Sequence, residues 1–291
     1  MTHLLSSFIA FLKLSKPIIT LSVAFSALTG YILHNGSFSD GWLFMYLGVL
    51  LIAGGSSSLN QLQESGHDSL MKRTRHRPLP SGELTKPQAL IWSILLSVAG
   101  ATLLWYHSGS IPALLAILTL LWYNGIYTPM KRVSPWAILP GALVGALPPA
   151  IGWTAAGGTL GHPHILFVAF FFFIGQIPHF WLILLRHGKD YEQAGFPSIT
   201  TRFLPAQIAR LTFTWTACTA TTALALPAFG VINTPLFSAL TLLFSLALLL
   251  SFLGWPDIKK PERVNRAFMA VNIYFLLMML VLMGDVLWSN P

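Results

Sequence analysis

The chain has 291 residues, 54% of them hydrophobic and 9% charged, with a mean hydropathy of +0.67. A soluble globular domain carries roughly a quarter charged residues, so that class is excluded and an integral membrane protein is indicated. The single Cys218, set in an apolar run, leaves neither a disulfide framework nor a cysteine metal site.

The first residues, MTHLLSSFIAFLKLSKP, hold an apolar run with its lysines after it and no small-residue cleavage site. This reads as an amphipathic lead-in lying on the membrane rather than a removable signal peptide. Beyond it, apolar runs near the ~20 residues needed to cross a bilayer recur between polar breaks. They fall at 17 to 34, 42 to 60, 87 to 106, 111 to 128, 136 to 157, 164 to 185, 207 to 229, 234 to 254 and 266 to 287. The expected fold is an all-α polytopic bundle of about nine transmembrane helices, one membrane-embedded domain over residues 1–291. No soluble domain, linker or low-complexity tract interrupts it.

Loop charge orients this bundle. With the N-terminus inside, Lys13, Lys16, the Lys72 to Lys86 loop, Lys131, Arg132, Arg186 to Arg210 and Lys259 to Arg266 put all 17 Lys and Arg on one side. The opposite loops, HNGSFSD, HSGS, GGTLGHPH and VINT, contain none. Cytoplasmic loops are the basic ones, so the N-terminus is expected in the cytoplasm of a bacterial-type inner membrane and the C-terminus opposite. The net charge of +8 is thereby a topology signal and an attraction to anionic headgroups, with no need of nucleic acid.

The second span ends in NQLQESGHDSLMKRTRHRPLP, residues 60 to 80. Asn60, Glu64 and Asp68 are four apart and stack on one helical face, and Lys72, Arg73, Arg75 and Arg77 follow before Pro78. Two carboxylates held together at a span end are costly unless a cation sits between them. Mg²⁺ suits oxygen ligands and commonly shares its coordination with substrate phosphates, which the arginines could also hold. This stretch predicts a site for Mg²⁺ and a diphosphate at a membrane surface.

Of the other acidic residues, Asp40 and Asp285 fall near the outer surface, and Glu83, Asp257 and Glu262 read as solvated charges in basic loops. Asp190 and Glu192 form a second cluster at the inner end of the sixth span. Asp190 is the candidate for a further metal position, with Lys189 and Arg186 beside it for phosphate; an ordinary Asp190–Arg186 ion pair is the competing reading. Glu192 points elsewhere on a helix. His179, inside that span after Pro178, either satisfies backbone freed by the proline or contacts substrate or transfers a proton. Gln176 is polar nearby. The stretch WYNGIYTPMKR, residues 122 to 132, offers Asn124, Tyr127, Lys131 and Arg132 at the same inner surface, where a Tyr belt and a positive-inside anchor are the competing explanation. The small-residue run from Pro140 to Trp153 is expected to break at Pro148 and Pro149 and to line a cavity.

Together, N-x-x-x-[DE]-x-x-x-D on the second span, the basic loop, Y-T-x-x-K-R after the fourth and D-Y-x-x-A-G after the sixth resemble the UbiA superfamily of intramembrane prenyltransferases. Met71 to Leu79, Gly141 to Trp153, Pro178 to Trp181, and Asp190 and Tyr191 through Gly195 resemble its heme O synthase branch. The likeness covers about residues 15 to 200. It implies a nine-helix bundle with a lipid-open cavity in which farnesyl diphosphate and heme b give heme O and diphosphate. Asn60, Glu64, Asp68 and Asp190 would hold Mg²⁺ and the diphosphate, and Arg73, Arg77, Lys131, Arg132 and Lys189 would neutralise it. Asn124, Tyr127, Gln176 and Tyr191 would line the cavity, and His179 would contact heme or assist the transfer. Association with a heme A synthase or a terminal oxidase would follow from such a product. Glu64 stands where the superfamily usually has Asp, Ala194 replaces the last Asp of its second motif, and Ile177 precedes Pro178 where a second proline is expected. The alternatives are a UbiA relative acting on a quinone precursor or other lipid, and a non-catalytic transporter, which would need charges at the bilayer midplane.

Overall fold

The structure, a computed structural model, describes residues 2–197, 202–253 and 260–289, with side chains from Ser7 onward. Asp257 and Lys259 lie outside the described residues. Among the described residues there is no strand. The helices are α1 (Thr2–Leu14), α2 (Pro17–Asn35), α3 (Trp42–Asp68), α4 (Lys86–Ser108), α5 (Ser110–Leu121), α6 (Thr128–Met130), α7 (Ile138–Ala155), α8 (Pro163–Gln193), α9 (Pro205–Ala225), α10 (Pro235–Ser251) and α11 (Pro261–Ser289). A π turn, Trp122–Tyr127, joins α5 to α6, and a 3₁₀ turn, Pro135–Ala137, leads into α7. Proline opens α2, α8, α9, α10 and α11, where its missing N–H costs nothing and its fixed φ already suits a helix.

Each expected span overlaps a helix, and among the described residues seven helices, not nine, are long and apolar enough to cross a membrane, Ser110–Met130 counting as one. The apolar α10 has 17 residues. The helix α9 is not among the seven; its buried Thr212, Thr216 and Thr219 each return their hydroxyl to a carbonyl four residues back. Two helices run well past their apolar stretches, α3 to Asp68 and α8 to Gln193. Hydropathy marks where a helix leaves hydrocarbon, not where its backbone ladder stops, and both extensions carry candidate site residues.

The expected break at Pro148 and Pro149 does not occur: α7 is helical through both prolines. Its support is α2, whose Gly30 lies against the Pro149 carbonyl while Gly152 of α7 lies against the Ala27 carbonyl. A methyl group at either glycine would overlap backbone, so the small residues serve close helix contact rather than a helix gap. Around the bundle, α3 packs on α2 and α4, α5 on α4 and α7, and α7 on α2 and α8; α8 meets α9 and α11, α10 meets α9 and α11, and α11 returns to α2. One apolar core gathers around Phe171, Phe275 and Met278, another around Ile32, Met45 and Leu104. Outward, Ile91, Ile94, Leu95 and Val98 of α4 and Leu242, Leu243 and Leu246 of α10 are exposed, the surface a lipid-facing helix presents.

At the end opposite the basic loops, where the sequence puts it, Asp285 is buried. Its carboxylate accepts the N–H groups of Asn233 and Thr234, each at 2.9 Å, and the Thr234 hydroxyl at 2.6 Å. It thereby ties α11 to the turn that starts α10.

Candidate active site at the polar end of the bundle

One face of the last turns of α3 is buried although it is polar: Asn60, Glu64 and Asp68 are 2%, 4% and 1% exposed. Such groups need partners, and each has one from a different segment. Asn60 Oδ1 accepts from Lys16 Nζ at 3.0 Å, and its Nδ2 donates to Thr128 Oγ1 at 3.1 Å. Glu64 Oε1 pairs with Lys131 Nζ at 2.5 Å. Asp68 Oδ2 accepts from Arg77 at 2.8 Å. That pairing exists because the chain folds back after α3, with the Thr74 hydroxyl donating to the Asp68 carbonyl at 2.9 Å. Asp68 Oδ1 is buried with no hydrogen-bond partner.

The two lysines respond differently to this setting. Burial would lower the Lys131 pKa, but the Glu64 carboxylate, with Tyr191 and Asp68, more than offsets it and the ammonium ends above its ordinary value. For Lys16, burial and then the positive charge of Arg77 outweigh the pull of Glu64, and its pKa drops to about 7. Lys131 also lies over the rings of Tyr127 and Tyr191, both at 5.9 Å, and Phe196 at 5.3 Å.

These rings carry the site across to α8. The helix leaves regular geometry at His187 (φ −124°, ψ 15°), and the chain beyond it packs Tyr191, Ala194 and Phe196 on Met71, just past α3. Phe196 meets His67 with ring centroids 4.8 Å apart. Thus the ends of α3 and α8 and the segment after α6 converge, and a cavity opens between Lys131, Tyr127 and Tyr191 on one side and Ile138, Phe180, Ile183 and Leu184 on the other.

The remaining candidates sit at varying distance from this centre. Asp190 is half-buried and interacts by charge with His187, as do Arg73 and Arg186. Lys189 and Arg73 are exposed, and Arg132 is exposed with its guanidinium donating to the Gln63 carbonyl at 2.5 Å. Asn124 is a clamp rather than a cavity group. It accepts from the Ser56 hydroxyl at 2.7 Å and donates to the Ser56 carbonyl at 3.1 Å and Gln63 Oε1 at 3.2 Å, fixing the π turn to α3. Gln176 packs against Gly145 of α7. His179 lies edge-on to Phe180 and tilted to Phe268, ring centroids 5.8 and 5.2 Å away. Among the described residues no three His, Cys, Asp or Glu side chains are gathered as a ready metal cluster, so Asp190 does not complete a three-carboxylate set with Glu64 and Asp68. Lys16 and Thr128 were not anticipated as site residues; a lysine next to a span-opening proline was the available signal.

A sequence model of the UbiA prenyltransferase family matches residues 23–279. The chain belongs to the UbiA prenyltransferase family. It is 40% identical over 223 residues to a protoheme IX farnesyltransferase of Geobacter sulfurreducens, covering 75% of this chain and 81% of that one. It is 35% identical over 266 residues to a protoheme IX farnesyltransferase of Oleidesulfovibrio alaskensis, covering 90% and 91%. Among solved structures, a digeranylgeranylglyceryl phosphate synthase superposes with a TM-score of 0.77 at 13% identity, covering 97% of this chain and 99% of that one. A UbiA homolog from Archaeoglobus fulgidus bound to GPP and Mg²⁺ gives 0.68 at 13% identity, covering 94% and 99%. This UbiA chain is therefore an all-helical, multi-pass membrane prenyltransferase.

Proposed function

We propose that the chain transfers the farnesyl group of farnesyl diphosphate to a vinyl group of heme b, giving heme O and diphosphate, on the cytoplasmic face of the inner membrane. The observation that carries the site is the pair of buried carboxylates, Glu64 and Asp68, each faced by a cation, with Lys131, the partner of Glu64, also lining a cavity beside Tyr127, Ile138, Phe180 and Tyr191. The heme acceptor is supported by the protoheme IX farnesyltransferases of 40% and 35% identity.

The residues fit a hard divalent cation. Mg²⁺ is usually held by one or two carboxylates and completes its shell with phosphates and water, so a three-carboxylate cage is not required. Glu64 and Asp68 supply the carboxylates, and the unpartnered Asp68 Oδ1 is an oxygen available to a ligand. Asp190 would join from the α8 side through the diphosphate. When bound, Mg²⁺ neutralises charge developing on the departing diphosphate.

The chain's own groups do the rest. Lys131 and Arg77, and Arg73 at the rim, balance the diphosphate as the allylic C–O bond breaks and the electron pair leaves with oxygen. Ile138, Phe180, Ile183 and Leu184 give the prenyl chain an apolar wall that keeps water from the allylic cation. The heme vinyl π electrons then form the new C–C bond, and water adds to the resulting cation and releases a proton to leave the hydroxyl. Purified enzyme offered farnesyl diphosphate and Mg²⁺ with equal heme b and 4-hydroxybenzoate tests the acceptor. Mass spectrometry should find farnesylated heme; prenylated benzoate alone would assign the chain to a quinone-precursor branch instead.

A further inference from the structure

Lys16 holds the turn between α1 and α2 in a conformation that lysine rarely adopts. Its backbone lies at φ 50°, ψ 65°, and among the described residues it is the one non-glycine residue at positive φ. Left-handed backbone at such a residue costs about 1–3 kcal/mol and persists only where its surroundings impose it. Here they do. Gln61, next to Asn60 on α3, donates from Nε2 to the carbonyls of Lys13 at 3.2 Å and Leu14 at 2.8 Å, and Trp92 of α4 donates to Ser15 Oγ at 2.9 Å. The Lys16 carbonyl receives the N–H groups of Ile19 at 3.0 Å and Thr20 at 3.1 Å as α2 begins.

This anchoring has a directional result. A lysine at the end of a membrane helix ordinarily extends its ammonium toward headgroups and water. The Lys16 side chain instead turns in and donates to Asn60 Oδ1 at 3.0 Å. Asn60 Nδ2 donates in turn to Thr128 Oγ1, and that hydroxyl donates at 2.9 Å to the Tyr123 carbonyl inside the π turn. Single π turns inside α-helices concentrate at functional sites. With its oxygen held by a donor and its nitrogen by an acceptor, the Asn60 amide cannot flip without losing both bonds. The relay joins the α1–α2 turn, α3, the π turn and the start of α6 one helical turn from Glu64.

We infer that Lys16 is a positioning residue for prenyl transfer, holding the Asn60 amide in one orientation beside Glu64 so that the oxygen set meeting the leaving diphosphate is fixed before substrate arrives. The inference rests on the transfer reading proposed above. It differs from a basic clamp: Lys16 acts through Asn60, and Thr128 belongs to the same device.

The test measures diphosphate released by full-length enzyme in nanodiscs with farnesyl diphosphate, Mg²⁺ and heme b, and with 4-hydroxybenzoate as a second acceptor. Lys16→Gly keeps a backbone suited to positive φ while removing the ammonium. Its kcat should fall about 10- to 100-fold, the loss expected for one charged hydrogen bond, with the KM for farnesyl diphosphate within about threefold of wild type. Lys16→Arg should recover kcat to within about threefold, and Thr128→Val should lower it about 3- to 10-fold. Because the relay acts as a unit, the double variant should be no slower than Lys16→Gly by more than about twofold. A kcat within about twofold of wild type in Lys16→Gly overturns the inference, as does a loss confined to KM, which would make Lys16 a ground-state diphosphate contact. Should Lys16→Gly not fold, Thr128→Val turning over at the wild-type rate overturns it equally. Wild-type release with 4-hydroxybenzoate alone would refute the heme reading and leave the relay test standing.

Discussion

Glu64 of α3 and Lys131, just beyond α6, form an ion pair whose carboxylate is almost wholly removed from solvent, the side chains being 5% and 18% exposed. Their worth is asymmetric. Removing one partner from a buried pair costs about 3–5 kcal/mol because a charge is left uncompensated, whereas neutralising both is far milder. Lys131→Met should therefore lower thermal stability in detergent markedly and abolish turnover. Glu64→Gln combined with Lys131→Met should recover most of the stability and none of the turnover. Recovery of both would make the pair structural only.

Asp68 and Arg77 form the second pair, with Arg77 more open at 23% side-chain exposure. Arg77→Met leaves the Asp68 carboxylate without the guanidinium that donates to it and should cost about 2–3 kcal/mol, the range for a hydrogen bond to a charged group. Arg77→Lys should keep most of the stability and lose part of the turnover, since a point charge does not reproduce the guanidinium fork. Thermal melts and steady-state kinetics on the same preparations separate the two effects.

The glycines of the bundle divide by their surroundings. At Gly152 a methyl group would meet the Ala27 carbonyl, whereas at Gly66 of α3 nothing lies within 4 Å. Gly152→Ala should destabilise by about 1–3 kcal/mol through forced separation of α2 from α7. Gly66→Ala should stabilise by about 0.5–1 kcal/mol through helix propensity. Equal melting temperatures for the two variants would contradict the packing described.

His179 lies among the rings of Phe180 and Phe268. Its expected role belongs to the heme side. His179→Ala should weaken heme b binding and slow heme farnesylation while leaving Mg²⁺-dependent binding of farnesyl diphosphate intact. Unchanged heme affinity together with full turnover would remove His179 from the mechanism.

What the sequence disclosed, and what it hid, follows from the range of each interaction. The four-residue spacing of Asn60, Glu64 and Asp68 is a local property of one helix, and it placed all three on the buried polar face found at the end of α3. The bundle was legible for the same reason, because hydrocarbon selects apolar stretches of a set length. Partners across sequence were not. Lys16 reaches Asn60 across 44 residues, and Asp285 reaches Thr234 across 51, so no window of neighbours announces either contact. Arg77 reads as a phosphate contact from its charge and from the family resemblance, and neither shows its bond to Asp68, which depends on the fold-back after Ser69. Asn124 reads as a cavity group because polarity inside a span suggests function; the bonds that fasten the π turn to Ser56 and Gln63 of α3 account for its polarity as well. Pro148 and Pro149 suggested a gap because proline removes a helical hydrogen bond, and the close support from α2 is a tertiary fact.

The central claim is that Glu64 and Asp68, together with Lys131 and Arg77, hold a magnesium-bound diphosphate while its farnesyl group passes to heme. The most direct measurement is the rate of heme farnesylation, read by mass spectrometry, as Mg²⁺ is titrated into chelator-treated wild type and Asp68→Asn, with melting temperatures recorded in parallel. The account predicts no product in wild type without Mg²⁺, saturable product with it, and at least about a 100-fold lower rate in a folded Asp68→Asn. Product formed by wild type without any divalent cation, or by Asp68→Asn at the wild-type rate and Mg²⁺ dependence, would contradict it.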